Sequence, residues 1–178
     1  QMRWIKQELV RGRYKLVDEQ GLPQGGSYVW SHMKVRDEYG KVLAFVPDPS
    51  KKSVIEAAAQ LIVDRVSWRI LETQLFNMGF ALNGQPYRKH FFYHMFNNPW
   101  FWGDAVRNWK NQNAPTQQKI GLWVVDHSAP VPEGVVIRRD VNPPALTGEL
   151  AGKLRAELIR RITFRPRRHD SVHVFSGL

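Results

Sequence analysis

The sequence predicts an α+β fold: a small, mostly antiparallel sheet of about four strands, packed with helices and followed by an extended basic tail. Segments rich in β-branched and aromatic residues come in two pairs, within residues 27–46 and 119–141. Other stretches have apolar residues at the three- and four-residue spacings of helices. Because strands and helices do not alternate strictly, a doubly wound parallel sheet is disfavoured.

The first strand pair is interpreted as a β-hairpin. SYVWSHMKV and KVLAFV are rich in β-forming residues, and the turn sequence DEYG separates them. Pro47 and Pro49 follow at once, and proline cannot donate a hydrogen bond to a sheet ladder. We therefore expect the hairpin to end there.

A long central helix is predicted next. Ser53 and Glu56 have the spacing of a capping box, in which each side chain accepts a hydrogen bond from an early backbone N–H of the helix. Apolar residues then recur at helical spacing as far as Gly79, which suits the C-terminal end of a helix.

The segment from Pro86 to Trp109 holds nine of the 21 aromatic residues and is predicted to form two short helices that meet at Asn98 and Pro99. On the second helix, Trp102, Val106 and Trp109 would share one face. Aromatic residues dominate the cores or interfaces that they join. The predicted interface with neighbouring proteins comprises Phe92, Phe96, Trp100, Trp102 and Trp109; packing in the core and stacking on unpaired RNA bases are the alternatives.

The C-terminal half predicts two more strands, KIGLWVVD (119–126) and GVVIRRDV (134–141), and then a helix over 146–162 with a stripe of leucines. The domain prediction is an N-terminal arm and linker at 1–26, a single α+β domain at 27–162, and an extended basic C-terminal tail at 163–178.

Composition limits the function classes. The chain of 178 residues has no cysteine, which excludes disulfides, thiolate zinc sites and a cysteine nucleophile. No run of 18 apolar residues is present, so membrane insertion is not expected. The chain begins at Gln1, and a cleaved organelle transit peptide, an expression boundary or a disordered leader would each account for that start.

The net charge of +10 favours a polyanionic partner, because basic surfaces release the counterions that condense on nucleic acids. Seven basic residues cluster near the C-terminus with one acidic residue, Glu157, among them. Guanidinium groups suit phosphate oxygens. The predicted RNA-binding residues are Lys153, Arg155, Arg160, Arg161, Arg165, Arg167 and Arg168.

Several patterns are candidates for catalytic or metal sites. His90 and His94 are four apart on a predicted helix, where two imidazoles can reach one metal ion. The run Asp126, His127, Ser128 lies at a predicted strand end, and scattered acids (Asp104, Asp126, Asp140 and Glu149) suggest a metal-dependent nuclease as an alternative. Histidines among aromatics and acids on a surface are more often structural. We therefore expect no catalytic residues, metal, cofactor or small-molecule substrate.

In general character the chain resembles accessory proteins of mitochondrial ribosomes, through the basic run, the ending HVFSGL, the segment FFYHMFNNPWFW and the absent initiator methionine. This resemblance implies a structural, non-catalytic subunit that binds rRNA and neighbouring proteins in the mitochondrial matrix. The alternatives are an enzyme that processes nucleic acid, using Asp126 and His127, and a protein-only accessory subunit of a mitochondrial membrane complex.

Overall fold

A hairpin opens the described part of the chain. The computed structural model describes residues 30–40, 42–88, 90–107, 121–132 and 135–164, without the side chains of 42, 43, 107 and 136. Strands β1 (His32–Arg36) and β2 (Val42–Pro47) pair antiparallel. In the turn between them, Gly40 has a φ of 78°, and its N–H donates to the Asp37 carbonyl at 3.0 Å. The predicted hairpin is confirmed.

The single long helix was a wrong prediction, because the chain forms two helices, α1 (Lys52–Val63) and α2 (Trp68–Asn77). A 3-10 turn precedes α1, and Asp48 caps that turn by accepting the Ser50 N–H at 2.9 Å. Among the described side chains none caps α1 itself, so the predicted capping box of Ser53 and Glu56 is not formed. Position 79 was predicted correctly: Gly79, at a φ of 88°, closes the end of α2.

The aromatic segment contains less helix than predicted. Helix α3 (Phe91–Phe96) begins after His90, whose φ of 69° prevents an earlier start. The predicted corner is confirmed: Asn98 accepts the Trp100 N–H at 3.1 Å. Beyond it lies a single 3-10 turn, Pro99–Trp102, rather than a helix.

Gly103 ends that 3-10 turn with a φ of 90° and lies against the loop before the last helix. Its carbonyl accepts the N–H groups of Val141 and Asn142, both at 3.0 Å. A Cβ built on Gly103 would lie 2.3 Å from the Asn142 carbonyl oxygen, so only glycine fits. Because the chain turns at Gly103, Val106 is not on a helix with Trp102, and the predicted shared face is wrong.

Two further strands form a separate sheet instead of extending the hairpin. β3 (Ala105–Arg107) pairs antiparallel with β4 (Val136–Arg138). The α+β class with antiparallel strands is therefore confirmed for the described residues, and β4 lies within the predicted strand 134–141. β3 lies instead in a segment that was predicted to be helical. The single four-stranded sheet is wrong, because the strands form two sheets of two.

The segment predicted as the third strand contains a helical turn, α4 (Leu122–Val125). Trp123, Val124 and Val125 are all buried. In a strand, consecutive side chains point to opposite faces, whereas a short helix inside the core can bury three in succession. A short apolar run does not distinguish these two states by its periodicity.

The C-terminal helix is confirmed as α5 (Gly148–Thr163), with Leu154 and Leu158 fully buried. It packs against α1 and α4, and α1 also packs against α2. One core cluster extends from Phe45 to Leu158. Residues 1–26 of the predicted arm and 165–178 of the predicted tail lie outside the described residues.

Candidate functional site

The basic residues of α5 do not share one environment. Lys153 is exposed and forms an ion pair with Glu149, with 2.7 Å between the Lys153 Nζ and the carboxylate. Arg160 is partly exposed, whereas Arg155 and Arg161 turn toward the protein. Arg165, Arg167 and Arg168 lie outside the described residues. The RNA-binding role of all seven stays a prediction.

Arg161 fastens the last turn of α5 to the end of α1. Its Nη2 donates to two backbone carbonyls, of Ile62 at 3.0 Å and of Val66 at 2.8 Å. The guanidinium also lies 5.4 Å from the centre of the Trp68 ring, within the range of a cation–π contact. Only 15% of its side chain is exposed. The Arg161 guanidinium therefore holds two helices together.

Glu157 links Arg161 to Arg160. The two carboxylate oxygens of Glu157 accept hydrogen bonds from Arg160 Nε and Nη2, both at 2.7 Å, and one of them also accepts from Arg161 Nε at 2.8 Å. These hydrogen bonds, those from Arg160 first, hold the pKa of Glu157 at about 2, below the usual 4.5, although burial opposes the shift. Glu157 is a buried carboxylate that stays ionised.

Arg155 belongs to a second cluster, around α4. Its guanidinium lies 4.3 Å from the centre of the Trp102 ring, and its Nη1 donates to the Val125 carbonyl at 3.2 Å. The same Nη1 lies 2.9 Å from His127 Nε2, which accepts this hydrogen bond when the imidazole is neutral. Burial is the main cause of a lowered pKa of His127, and the charges of Arg139 and Arg155 add to it.

A fully buried carboxylate, Asp104, lies at the centre of this second cluster. It accepts from Arg139 Nη1 at 2.5 Å and from the Asp140 N–H at 3.1 Å. His127 Nε2 is 3.6 Å from Asp104 Oδ2. Arg139 also donates to the Trp123 carbonyl at 2.8 Å. The cluster ties α4, α5 and the second sheet together.

The adjacent Asp126, His127 and Ser128 do not act on one another as a catalytic triad would. Asp126 accepts from both the N–H and the hydroxyl of Ser128, at 2.9 and 2.6 Å, and so closes a local turn. The acid beside His127 is Asp104. No group of three His, Cys, Asp or Glu side chains that could hold a metal ion occurs among the described residues.

The predicted interface rings that the structure describes lie in the core of this chain. Phe92, Phe96, Trp100 and Trp102 are buried, and Trp102 Nε1 donates to the Phe96 carbonyl at 2.9 Å. Trp109 lies outside the described residues. Packing in the core, which was one of the alternatives to a protein interface, is therefore the arrangement of these four rings.

His90 and His94 lie on one side of α3, with ring centres 6.5 Å apart. The His90 N–H donates to the Glu72 carboxylate at 2.8 Å. Both rings also contact Tyr93, in edge-on arrangements. All three side chains are exposed, so these ring contacts lie at the surface.

Arg65, Arg69 and Arg139 are not among the functional residues predicted from the sequence. The first two were assigned to the interior of one long helix, and the pair Arg138 and Arg139 to a strand. An available signal was the β-branched Val66 followed by Ser67, a residue type that favours the start of a helix, which together suggest a break at this position.

None of the helices in the described parts of the chain has the length and apolar character needed to cross a membrane. Comparison with protein-family models, with curated proteins and with solved structures finds no match.

Proposed function

We propose that this chain is a structural, non-catalytic RNA-associated subunit of a large ribonucleoprotein, and that the particle is a mitochondrial ribosome. The observation that carries the proposal is the anchoring of the basic run by Arg161. Since this side chain holds the end of α5 against α1, the arginines that follow in the sequence are attached to a helix end with a fixed position. An arginine segment attached to a fixed helix end loses less conformational entropy when its side chains bind RNA phosphates.

The distribution of charge supports the same function. The described residues carry 14 Lys/Arg and 11 Asp/Glu, an excess of three, whereas the whole chain has a net charge of +10. Most of the positive excess thus lies in segments outside the described ranges, and residues 165–168 alone contribute three arginines. Charges of this kind neutralise the phosphates of RNA without reading its sequence.

Neighbouring proteins would meet a different surface from the one predicted. The described aromatic rings of the 86–109 segment are mostly in the core. Contacts with neighbouring proteins would therefore involve other, exposed apolar side chains. The large apolar residues among these include Ile70, Phe76 and Met78 on or just after α2, and Phe164 after α5.

Salt-titrated RNA binding tests the proposal. A variant with alanine at Arg165, Arg167 and Arg168 should bind a short oligouridylate more weakly. For single strands, the slope of log K against log salt should fall in magnitude by about 0.7 for each phosphate that the variant no longer neutralises. The matched control is Lys52→Ala, which removes an exposed charge at the opposite end of α1.

An unchanged affinity and salt slope in the triple variant would refute the mechanism. A test of the assembly is sedimentation of the native protein: an integral subunit should travel with a ribosomal particle and resist stripping by high salt. Failure to co-sediment would contradict the assignment to a ribosome.

A second candidate is an enzyme that acts on nucleic acid. The observation in its favour is the position of His127 between the buried carboxylate of Asp104 and the guanidinium of Arg155. The discriminating measurement is RNA cleavage. Activity that disappears in His127→Ala, while RNA binding persists, would favour the enzyme over the structural subunit.

A further inference from the structure

The turn between α1 and α2 contains an arginine where a helix usually has glycine. The Val66 N–H donates to the Leu61 carbonyl at 2.9 Å, and the Arg65 N–H donates to the Ile62 carbonyl at 3.0 Å. These two hydrogen bonds define a Schellman motif, whose residue in the left-handed conformation is Arg65, at a φ of 65°.

The end of α2 provides an internal comparison. There the Phe80 N–H donates to the Leu75 carbonyl and the Gly79 N–H to the Phe76 carbonyl, both at 2.9 Å. The same motif therefore closes both helices, with glycine at the left-handed position in one and arginine in the other. Glycine adopts this conformation without steric cost, whereas an L-residue with a Cβ does not.

Nothing among the described contacts accounts for an arginine at position 65. The side chain is exposed, and within the described ranges its guanidinium makes no hydrogen bond or ion pair. Arg69, one helical turn later, is likewise exposed and unpaired among those residues. A residue that strains the backbone and gains no internal contact is expected where an external ligand uses its side chain.

These two arginines lie beside the anchored end of α5. Arg65 lies between Ile62 and Val66, whose carbonyls accept from Arg161, and Glu157 joins Arg161 to Arg160 through one shared oxygen. We call Arg65, Arg69 and Arg160 the corner surface.

The corner surface has an excess of positive charge. Four guanidiniums, those of the corner surface and of Arg161, are accompanied by three carboxylates, those of Asp64, Glu72 and Glu157. Glu72 lies one helical turn after Arg69 and accepts from the His90 N–H at 2.8 Å. Asp64 is partly engaged, because it accepts from Gln60 Nε2 at 2.9 Å. In the sequence, the basic run 165–168 follows Phe164 directly, after this end of α5.

We propose that the corner surface is a binding site for the phosphate backbone of RNA, with Arg65 and Arg69 as its phosphate contacts. The inference rests on the proposed function and adds a site on the folded body to the C-terminal run. A polyanion with regularly spaced phosphates fits because two exposed guanidiniums, four residues apart, have no partner among the described residues and can each bind a phosphate oxygen.

The test uses the full chain and a short oligouridylate as the probe. Arg65→Gly and Arg69→Gln should each weaken binding roughly two- to fivefold, as expected for a solvent-exposed ion pair. Each should also lower the magnitude of the salt slope by about 0.7. Arg65→Lys, which keeps the charge, should retain most of the affinity, and Lys52→Ala is the matched control for removal of a charge elsewhere.

Arg65→Gly has a second readout that separates binding from folding. Because glycine relieves the left-handed strain, this variant should unfold at a higher urea concentration than the wild-type chain even as it binds RNA less well. Weaker binding therefore cannot be attributed to misfolding.

The outcomes are distinguishable. Wild-type binding with an unchanged salt slope in the Arg65→Gly/Arg69→Gln protein would overturn the corner surface alone. No binding by the wild-type chain would overturn the proposed function itself. Equal binding of polyglutamate, abolished in the same variants, would identify an acidic protein as the partner and overturn the assignment to RNA.

Discussion

Replacing Glu157 by glutamine should destabilise the protein at neutral pH, because the substitution removes the charge that pairs two arginines at the junction of α5 and α1. In the wild-type chain the carboxylate is buried and accepts three hydrogen bonds from Arg160 and Arg161. In turn, Arg161 binds the two carbonyls at the end of α1. Loss of the carboxylate leaves a largely buried guanidinium without its counter-ion.

The magnitude follows from the pKa of Glu157. A pKa of about 2 in the folded state, against 4.5, corresponds to about 3 kcal/mol of stability at neutral pH, since a tenfold change in proton affinity is worth about 1.4 kcal/mol. Arg160 is 44% exposed, so solvent screens its share. We therefore expect Glu157→Gln to lower the free energy of unfolding by about 2 to 3 kcal/mol.

The pH dependence has a definite sign. A carboxyl with a depressed pKa stabilises the fold above pH 4.5 and loses that contribution as the pH falls toward about 2, because the unfolded chain takes up the proton first. Urea denaturation of both proteins should therefore give a stability difference that is full at pH 7 and largely absent near pH 2.

The matched control is Glu149→Gln on the same helix. Glu149 is 82% exposed, and among the described residues its ion pair is with Lys153, so this variant should leave the urea midpoint nearly unchanged. A Glu157→Gln difference that stayed constant down to about pH 2 would refute the assignment of the stabilising energy to the ionised carboxylate.

Three further outcomes are expected. Gly103→Ala should lower the free energy of unfolding by at least about 2 kcal/mol, because its Cβ would meet the Asn142 carbonyl oxygen at 2.3 Å; urea midpoints measure this. Asp104→Asn should cost about 3 to 5 kcal/mol, since it leaves Arg139 without its buried counter-ion, and the double variant Asp104→Asn/Arg139→Gln should recover part of the loss in a double-mutant cycle. Burial lowers the pKa of His32, so NMR titration should place its midpoint below 6.5, and its contribution to stability should be lost as the pH falls below that value.

These expectations can each fail in a recognisable way. A near-wild-type midpoint for the glycine variant would mean that the neighbouring loop yields to the new methyl group. Additive effects in the cycle would mean that the buried carboxylate and guanidinium are not coupled. A histidine midpoint at or above 6.5 would contradict the sign assigned to its burial.

Local patterns in the sequence predicted the elements whose structure depends mainly on local interactions. The hairpin follows from two β-rich runs around a turn with glycine, and α5 follows from leucines at helical spacing, with Leu154 and Leu158 in the core. The corner at Asn98 follows from an asparagine cap before proline. In each case the residues that specify the element are neighbours along the chain.

The wrong predictions have a common physical origin: at each position, two local structures have similar energies. Apolar residues on both sides of Arg65 continue a helical pattern, and only packing of α2 back against α1 repays the cost of the left-handed turn. Likewise, the run around Trp123 suits either a strand or a buried helical turn. Contacts with distant parts of the chain select between the two.

The sequence by itself determined the α+β class, the concentration of arginines near the C-terminus and the aromatic content of the 86–109 segment. The tertiary structure decided the direction in which the described side chains among these point. Trp100 and Trp102 lie in the core, Arg161 holds α5 against α1, and Arg65 is exposed in a turn with left-handed backbone conformation. Composition and spacing fix the groups that are present, but a guanidinium binds carbonyls, a carboxylate or an external phosphate according to neighbours that are far away in sequence.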